Sequence, residues 1–251
     1  MNLVTFGCSW TYGVGASWDP SHTQIEKEFR QYCMDECINY PYSFRAILSK
    51  KFNLNNINFS AGMSSNQRNF RLAREFLKKF NKNDVVMWGI TSTARNEYFD
   101  PKTQTYKKIK FGDNRNYKGR PLDHRKEQDF FLKQYDHNNE IKILAEQMLL
   151  WNDLFNYYNI KNIWYDTFNT HNYPNKIENM IEGDLLSLML KYQNIIIPKQ
   201  RFYHMSSWIN DDPRITAGVK AGLLNPISFH PTKKGHEILA EILTPYIEEK
   251  L

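Results

Sequence analysis

Short apolar runs that end in glycine or polar residues recur along the chain and predict β-strands. The first ends at Gly7, and the third contains the sequence Val-Val-Met-Trp, which is typical of a buried strand. The predicted strands cover residues 3–6, 57–60, 84–90, 162–166 and 194–197.

Apolar residues at helical spacing lie between these runs. The strongest rhythm is Ile141, Leu144, Met148, Trp151, Phe155 and Tyr158, with steps of 3, 4, 3, 4 and 3 residues. The predicted helices cover residues 42–52, 64–80, 141–158, 177–190 and 235–249.

The alternation of strand and helix favours an α/β fold, a three-layer α/β/α sandwich around a central parallel sheet of about five strands. We expect a single domain over residues 1–251, with an irregular basic insertion at about 97–137 that serves as a lid or substrate platform. In such sheets the ligand lies beyond the carboxyl ends of the strands, so residues that directly follow strands are the candidates for a site.

Composition excludes several classes of protein. The chain is 41% apolar and 15% aromatic, which is too rich for a disordered protein. It lacks the run of about 18 apolar residues that a transmembrane helix needs, and its first residues lack a secretory signal. The three cysteines, Cys8, Cys33 and Cys37, cannot form a disulfide framework. We therefore expect a protein of a reducing compartment, cytoplasmic or virus-associated, with no membrane contact.

The positive charge is concentrated in one segment. The chain has 33 Lys and Arg against 27 Asp and Glu, a net charge of +6. Basic residues mixed with aromatic residues lie between Lys102 and Lys133, which is compatible with a solvated loop or an anionic polymer. The segment matches no nucleic-acid recognition motif, so nucleic acid is not an expected partner. Arg95 and Glu97, which closely follow the third strand, are interpreted as a structural ion pair, with a substrate clamp as the alternative.

Polar groups suited to acyl transfer follow the predicted strands. Ser9 offers a hydroxyl nucleophile at a strand-to-helix turn, although a serine there could also cap the helix. Gly62 allows close approach of a backbone N–H donor, and Thr91 and Ser92 offer hydroxyl groups. His230, just before the last helix, could accept the proton of Ser9.

These motifs together resemble the SGNH (GDSL-type) hydrolases. The family's Gly-Asp-Ser block corresponds to residues 7–13, and its oxyanion-hole glycine corresponds to Gly62. Its Gly-x-Asn-Asp block falls on residues 89–92, and its final Asp-x-x-His block falls on residues 227–230. The resemblance spans the whole chain in order and spacing.

Three positions depart from the family pattern. Cys8 stands beside the nucleophile in place of Asp, and Thr91 replaces the Asn of the third block. Ile227 replaces the triad Asp, whose charge can contribute about 10⁴ in rate. Asp211 or Asp212 could supply the acid instead, a backbone carbonyl could orient a Ser–His dyad, or catalysis could have been lost.

The resemblance implies hydrolysis of an ester, an acyl or acetyl group on a small molecule or a carbohydrate. Ser9 would attack, His230 would transfer the proton, and the N–H groups of Ser9 and Gly62 would stabilise the oxyanion with help from Thr91. No metal and no organic cofactor is expected. The alternative is a binding or structural protein of the same fold, phage- or virion-associated, that has lost catalysis.

Overall fold

Five parallel strands form the central sheet of the computed structural model, which describes residues 1–18, 36–110, 133–168, 170–197, 212–226 and 228–251. The described strands are β1 (Asn2–Phe6), β2 (Asn55–Asn58), β3 (Val85–Ile90), β4 (Arg95–Asp100), β5 (Thr105–Lys110), β6 (Lys161–Asp166) and β7 (Met180–Asp184). The sheet has the order β2-β1-β3-β6-β7, and every neighbouring pair is parallel. The predicted fold class is confirmed.

Helices cover both faces of this sheet. The described helices are α1 (Ser9–Tyr12), α2 (Glu36–Asn39), α3 (Phe44–Lys51), α4 (Asn66–Phe76), α5 (His137–Tyr157), α6 (Leu185–Tyr192), α7 (Pro213–Lys220) and α8 (Lys233–Lys250). Helices α3, α6, α7 and α8 contribute to the hydrophobic cluster on one face, and α4 and α5 to the cluster on the other. Within the described ranges, no helix combines the length and apolar content that crossing a bilayer requires.

Alternating side chains of the strands enter the two clusters. Leu3 and Met87 belong to one cluster, whereas Val4 and Trp88 belong to the other. On the second face, a row of stacked rings crosses the sheet, with centroid separations of 5.0, 4.6 and 4.7 Å between Phe59, Phe6, Trp88 and Trp164. This row ties β1, β3 and β6 together in register.

The fifth strand lies elsewhere than the sequence pattern predicts. Residues 177–190 are predicted to be one helix, but they contain β7 followed by α6. Asp184 divides them, because its carboxylate accepts the N–H of Ser187 at 2.9 Å and so caps α6. The predicted strand 194–197 is wrong, and that segment has no regular structure. Its Ile196 is 93% exposed.

The beginning of the basic insertion is ordered, contrary to the prediction. Strands β4 and β5 form an antiparallel hairpin. The Asp100 carboxylate holds the turn by accepting the N–H of Lys102 at 2.9 Å and the hydroxyl of Thr103 at 3.0 Å. Residues 111–132 of the insertion lie outside the described ranges.

The predicted Arg95–Glu97 ion pair is also wrong. Both oxygens of Glu97 accept hydrogen bonds from Arg71 of α4, at 2.9 and 3.1 Å. This bidentate pair joins the hairpin to α4, and the Arg71 guanidinium also lies 3.9 Å from the ring centre of Tyr106. Arg95 is therefore available for other contacts.

Candidate active site

Ser9 is the first residue of α1, directly beyond the carboxyl end of β1. Cys8, with extended backbone angles, occupies the N-cap position, so Ser9 is not the cap of this helix. The Ser9 side chain is buried and makes no hydrogen bond with the described residues. A hydroxyl that no structural bond engages is free to react with a ligand.

Two glycines of the sequence motifs make room for Thr11 of α1. A Cβ atom on Gly7 would lie 2.2 Å from Thr11 Oγ1, and one on Gly89 would lie 2.4 Å from the same atom. Thr11 Oγ1 in turn bonds the hydroxyl of Tyr165 at 2.9 Å. Gly7 and Gly89 therefore allow α1 to pack closely over β1 and β3.

The loop after β2 brings Gly62 beside the end of β1. We call the loops that follow β1, β2 and β3 the first, second and third motif loops. The N–H of Ala61 donates to the carbonyl of Gly7 at 3.2 Å and so joins the first two. Met63 has a φ of 58°, a left-handed conformation that a long side chain rarely adopts. The N–H of Gly62 has no hydrogen-bond acceptor among the described residues, whereas its carbonyl accepts a 2.7 Å bond from Lys108 Nζ.

Thr91 follows β3 and is held from two sides. The Asn66 side chain accepts the Thr91 N–H at 3.0 Å and donates to the Thr91 carbonyl at 2.9 Å. The hydroxyl of Thr91 accepts a 2.9 Å bond from Arg95 Nη1. Ser92 uses its hydroxyl locally, as the acceptor for the N–H of Ala94 at 3.1 Å. No local pattern in the sequence indicates the role of Asn66, because its two hydrogen bonds join it to a residue 25 positions away in the chain.

His230 lies in a tight loop before α8. The carbonyl of His230 accepts the N–H of Asn225 at 2.8 Å, and the preceding residue, Phe229, has a left-handed φ of 56°. The ring is half-buried, and its Nδ1 atom is buried without a hydrogen-bond partner among the described residues. Strain of this kind is concentrated at functional sites.

The electrostatic surroundings keep the His230 ring neutral. Its pKa is lowered to about 4, chiefly by burial and also by the positive charge of Arg95, against the opposing effect of the Ser228 backbone. A neutral imidazole can accept a proton at pH 7. Because the charge of Arg95 acts on the His230 ring and Arg95 is bonded to Thr91, His230 lies near the loop that follows β3. No hydrogen bond joins the His230 ring to Ser9.

Asp212 does not contact His230. Its buried carboxylate caps α7 and is held by Arg214, which approaches it to 2.8 Å. Arg214 also donates to Asp184 at 3.0 Å, so Asp212 belongs to a buried ionic network. The other candidate acid, Asp211, and Ile227 lie outside the described residues.

A second histidine, His236, lies in the first turns of α8 and feels the charge of His230. Its Nδ1 atom accepts the N–H of Phe44 at 3.3 Å, which places the ring at the start of α3. Burial lowers the pKa of His236 to about 3, and repulsion from His230 and Arg45 contributes. His236 therefore has a structural role at this helix.

A group of titratable residues that the sequence analysis did not assign lies beyond β6. Asp166 Oδ1 accepts hydrogen bonds from His171 Nδ1 and from the hydroxyl of Tyr173, both at 2.8 Å. Burial opposes charging of His171, but Asp166 and Asp184 outweigh it and raise the pKa of His171. Burial and the positive charge of His171 lower the pKa of His137, so the two histidines are coupled.

The described residues contain no group of three or more His, Cys, Asp or Glu side chains arranged to hold a metal ion. Cys8 is buried and forms no disulfide with the described residues, whereas Cys37 is exposed. Cys33 lies outside the described residues.

No protein-family model and no curated protein sequence matches the chain. Several solved structures are similar to it. A lipolytic protein of the G-D-S-L family from Desulfitobacterium hafniense is 14% identical, with 100% of this chain and 99% of that chain covered and a TM-score of 0.42. A psychrotrophic esterase from Pseudoalteromonas sp. is 11% identical, with 99% and 98% covered and a TM-score of 0.44.

An acetyl xylan esterase from the rumen bacterium Butyrivibrio proteoclasticus is 11% identical to the chain. The alignment covers 99% of this chain and 64% of the esterase, with a TM-score of 0.45.

Proposed function

We propose that the protein hydrolyses an ester with Ser9 as nucleophile and His230 as general base and then general acid. The observation that carries this proposal is the meeting of three motif loops at one edge of the sheet. Among the described residues, the Ser9 hydroxyl and the Gly62 N–H have no hydrogen-bond partner, and Thr91 is held rigidly between Asn66 and Arg95. These are the parts that acyl transfer requires.

In the proposed reaction, Ser9 Oγ forms a bond to the acyl carbon while its proton passes to His230. The N–H groups of Ser9 and Gly62 stabilise the negative charge that develops on the carbonyl oxygen. The ester C–O bond then breaks, and the alcohol leaves with the proton from His230. Water, activated by His230, attacks the acyl-enzyme and releases the acid and free Ser9.

The substrate class, an acyl ester of a small molecule or a carbohydrate, follows from the resemblance of the motifs to the SGNH hydrolases. Ile227 lacks the carboxylate that orients histidine in that family, and the buried Nδ1 atom of His230 has no partner among the described residues. We therefore expect slower catalysis than a complete triad provides, because the imidazolium is stabilised less.

Turnover of 4-nitrophenyl acetate by purified wild type, Ser9→Ala and Ser49→Ala tests the proposal. Ser49 is a suitable control because it is a buried serine of α3 whose hydroxyl has no partner among the described residues. We expect wild type and Ser49→Ala to release nitrophenol alike, and Ser9→Ala to lose at least about 10³ of the rate. Equal rates in all three proteins would contradict a nucleophilic role of Ser9.

A ligand-binding protein of the same fold is the second candidate. It is favoured by the absence of a hydrogen bond between Ser9 and His230 and by the His230 Nδ1 atom, which has no partner among the described residues. Such a protein would bind an ester at the same edge of the sheet without turnover. Failure of the wild type to hydrolyse acetate, butyrate and acetylated-sugar esters, with retained binding, would identify it.

A further inference from the structure

Arg95 places a positive charge against the candidate site. Its Nη1 atom donates to Thr91 Oγ1 at 2.9 Å, and its guanidinium carbon lies 5.2 Å from the ring centre of Phe168. Phe168 in turn packs edge-on against Trp10, the residue after Ser9, with ring centres 5.8 Å apart. The guanidinium therefore lies among the loops that follow β1, β3 and β6.

Lys108 brings a second positive charge to the same edge. Glu97 and Lys108 are paired across the hairpin, so Arg95, Glu97 and Lys108 project from the same face of it. The Lys108 ammonium reaches the carbonyl of Gly62, at 2.7 Å. The hairpin thus places the Lys108 ammonium at the second motif loop and the Arg95 guanidinium at the third.

Neither cation has a carboxylate partner among the residues that the structure describes. Glu97 is the acidic residue nearest to them on the hairpin, and Arg71 occupies both of its oxygens. Arg68, on α4, adds a third positive charge nearby and is bound to the carbonyl of Phe59 at 2.7 Å. In the part of the chain that the structure describes, the positive charges at this edge outnumber the carboxylates that could neutralise them.

The cations also repel one another. Partial burial of the ammonium lowers the pKa of Lys108, and the charges of Arg68 and Arg95 lower it further, against the attraction of Glu97. Holding like charges together costs free energy, which an anionic ligand would recover. A guanidinium with free N–H groups is well suited to a carboxylate.

We propose that this site takes an ester whose acyl part or alcohol part carries a carboxylate, and that Arg95 and Lys108 bind this carboxylate. The inference rests on the proposed function for the ester bond itself, but the binding of the anion can be measured separately. The two sources of the carboxylate are distinguished by two pairs of probes.

The first pair is monomethyl succinate, whose acyl part carries a carboxylate, and dimethyl succinate, which is neutral. The second pair is acetoxyacetate, whose alcohol part carries a carboxylate, and methyl acetoxyacetate, which is neutral. Hydrolysis is followed by acid release in a pH-stat at low ionic strength, because salt weakens attraction between exposed charges. We expect the wild type to prefer the anionic member of at least one pair by about 100-fold in kcat/KM, about tenfold for each of the two charged hydrogen bonds.

The variants Arg95→Gln and Lys108→Gln should each reduce this preference about tenfold, since each removes one charged hydrogen bond. Arg95→Lys, which keeps the charge, should retain part of it. Lys102→Gln is the matched control, because Lys102 is an exposed lysine in the turn of the same hairpin. Circular dichroism and the Tm of each variant show whether it is folded.

Binding of the same four probes to Ser9→Ala, followed by NMR titration, separates the two proposals. Tighter binding of an anionic probe that is lost in Ser9→Ala/Arg95→Gln supports the carboxylate site, even if the wild type hydrolyses nothing. Equal binding of charged and neutral probes, or a preference that survives both Arg95→Gln and Lys108→Gln, overturns it. In that case hydrolysis of the neutral esters would still support the proposed function.

Discussion

The side-chain amide of Asn66 makes two hydrogen bonds to the backbone of Thr91, one to its N–H at 3.0 Å and one to its carbonyl at 2.9 Å. Both residues are buried, so neither bond can be replaced easily by water. The Asn66 amide thereby pairs with the Thr91 backbone as a neighbouring strand would, and it fixes the position of the third motif loop.

Loss of this amide should destabilise the protein. We expect Asn66→Ala to lower the free energy of unfolding by about 2–4 kcal/mol, because it leaves two buried backbone groups unpaired. Asn66→Asp keeps an acceptor for the Thr91 N–H and should rescue part of the loss. Urea denaturation of the three proteins measures this, and an unchanged midpoint for Asn66→Ala would contradict the role of the amide.

The tight packing of Gly89 against Thr11 predicts a specific double-mutant result. Gly89→Ala should destabilise by about 1–3 kcal/mol, because its Cβ would lie 2.4 Å from Thr11 Oγ1. Thr11→Ala removes that atom but leaves the Tyr165 hydroxyl without its bond. The double variant should therefore be more stable than the sum of the two losses predicts, and additive losses in thermal unfolding would argue against this contact.

Asp212→Asn should affect stability and not the chemistry of His230. Its carboxylate is bound to Arg214 at 2.8 Å and is buried, so neutralising it weakens the network with Asp184. We expect a loss of about 1–3 kcal/mol in unfolding free energy and an unchanged pH profile of kcat. A reduction of about 10⁴ in kcat with unchanged stability would instead identify Asp212 as the acid of a triad.

The pair Asp166–His171 predicts a pH dependence of stability. The folded state raises the pKa of His171 above its ordinary value of 6.5 through Asp166 and Asp184, against the effect of burial. The stabilisation from the protonated ring is fully present below pH 6.5 and is lost as pH rises through the folded pKa. Asp166→Asn should therefore lose more stability at pH 6 than at pH 9.

An NMR titration of the His171 ring provides the direct measurement. In Asp166→Asn its pKa should fall, and the pKa of His137 should rise, because a neutral His171 no longer repels a proton on His137. A His171 pKa that is the same in both proteins would contradict the pairing.

His236 gives the stability of the protein a pH dependence opposite to that of His171. Its pKa falls from 6.5 to about 3 on folding, mainly through burial. The unfolded chain therefore binds a proton below pH 6.5 that the folded ring refuses, and stability is lost as pH decreases from 6.5 toward 3. His236→Phe, whatever its stability at pH 7, should show a shallower loss between pH 7 and 5 in urea denaturation.

Local patterns in the sequence determined most of the fold and the places to look for a site. Buried strands such as β3 are short apolar runs, and a helix such as α5 repeats its apolar residues every three or four positions, so both are visible without a partner. A parallel sheet places its strand ends at one edge, which is why Ser9, Gly62 and Thr91 could be grouped as candidates before their contacts were known.

Tertiary structure alone decided which partners the polar and charged side chains take. Residues 180–184 pair with β6 as strand β7 instead of extending α6, and Asp184 ends the strand and caps the helix. The spacing of apolar residues in this segment does not reveal that pairing. Arg95 turns to Thr91, Glu97 to Arg71 and Lys108 to Gly62, the last pair 46 residues apart in the chain. Long flexible side chains have several acceptors within reach, and only the packing of the hairpin on α4 selects among them.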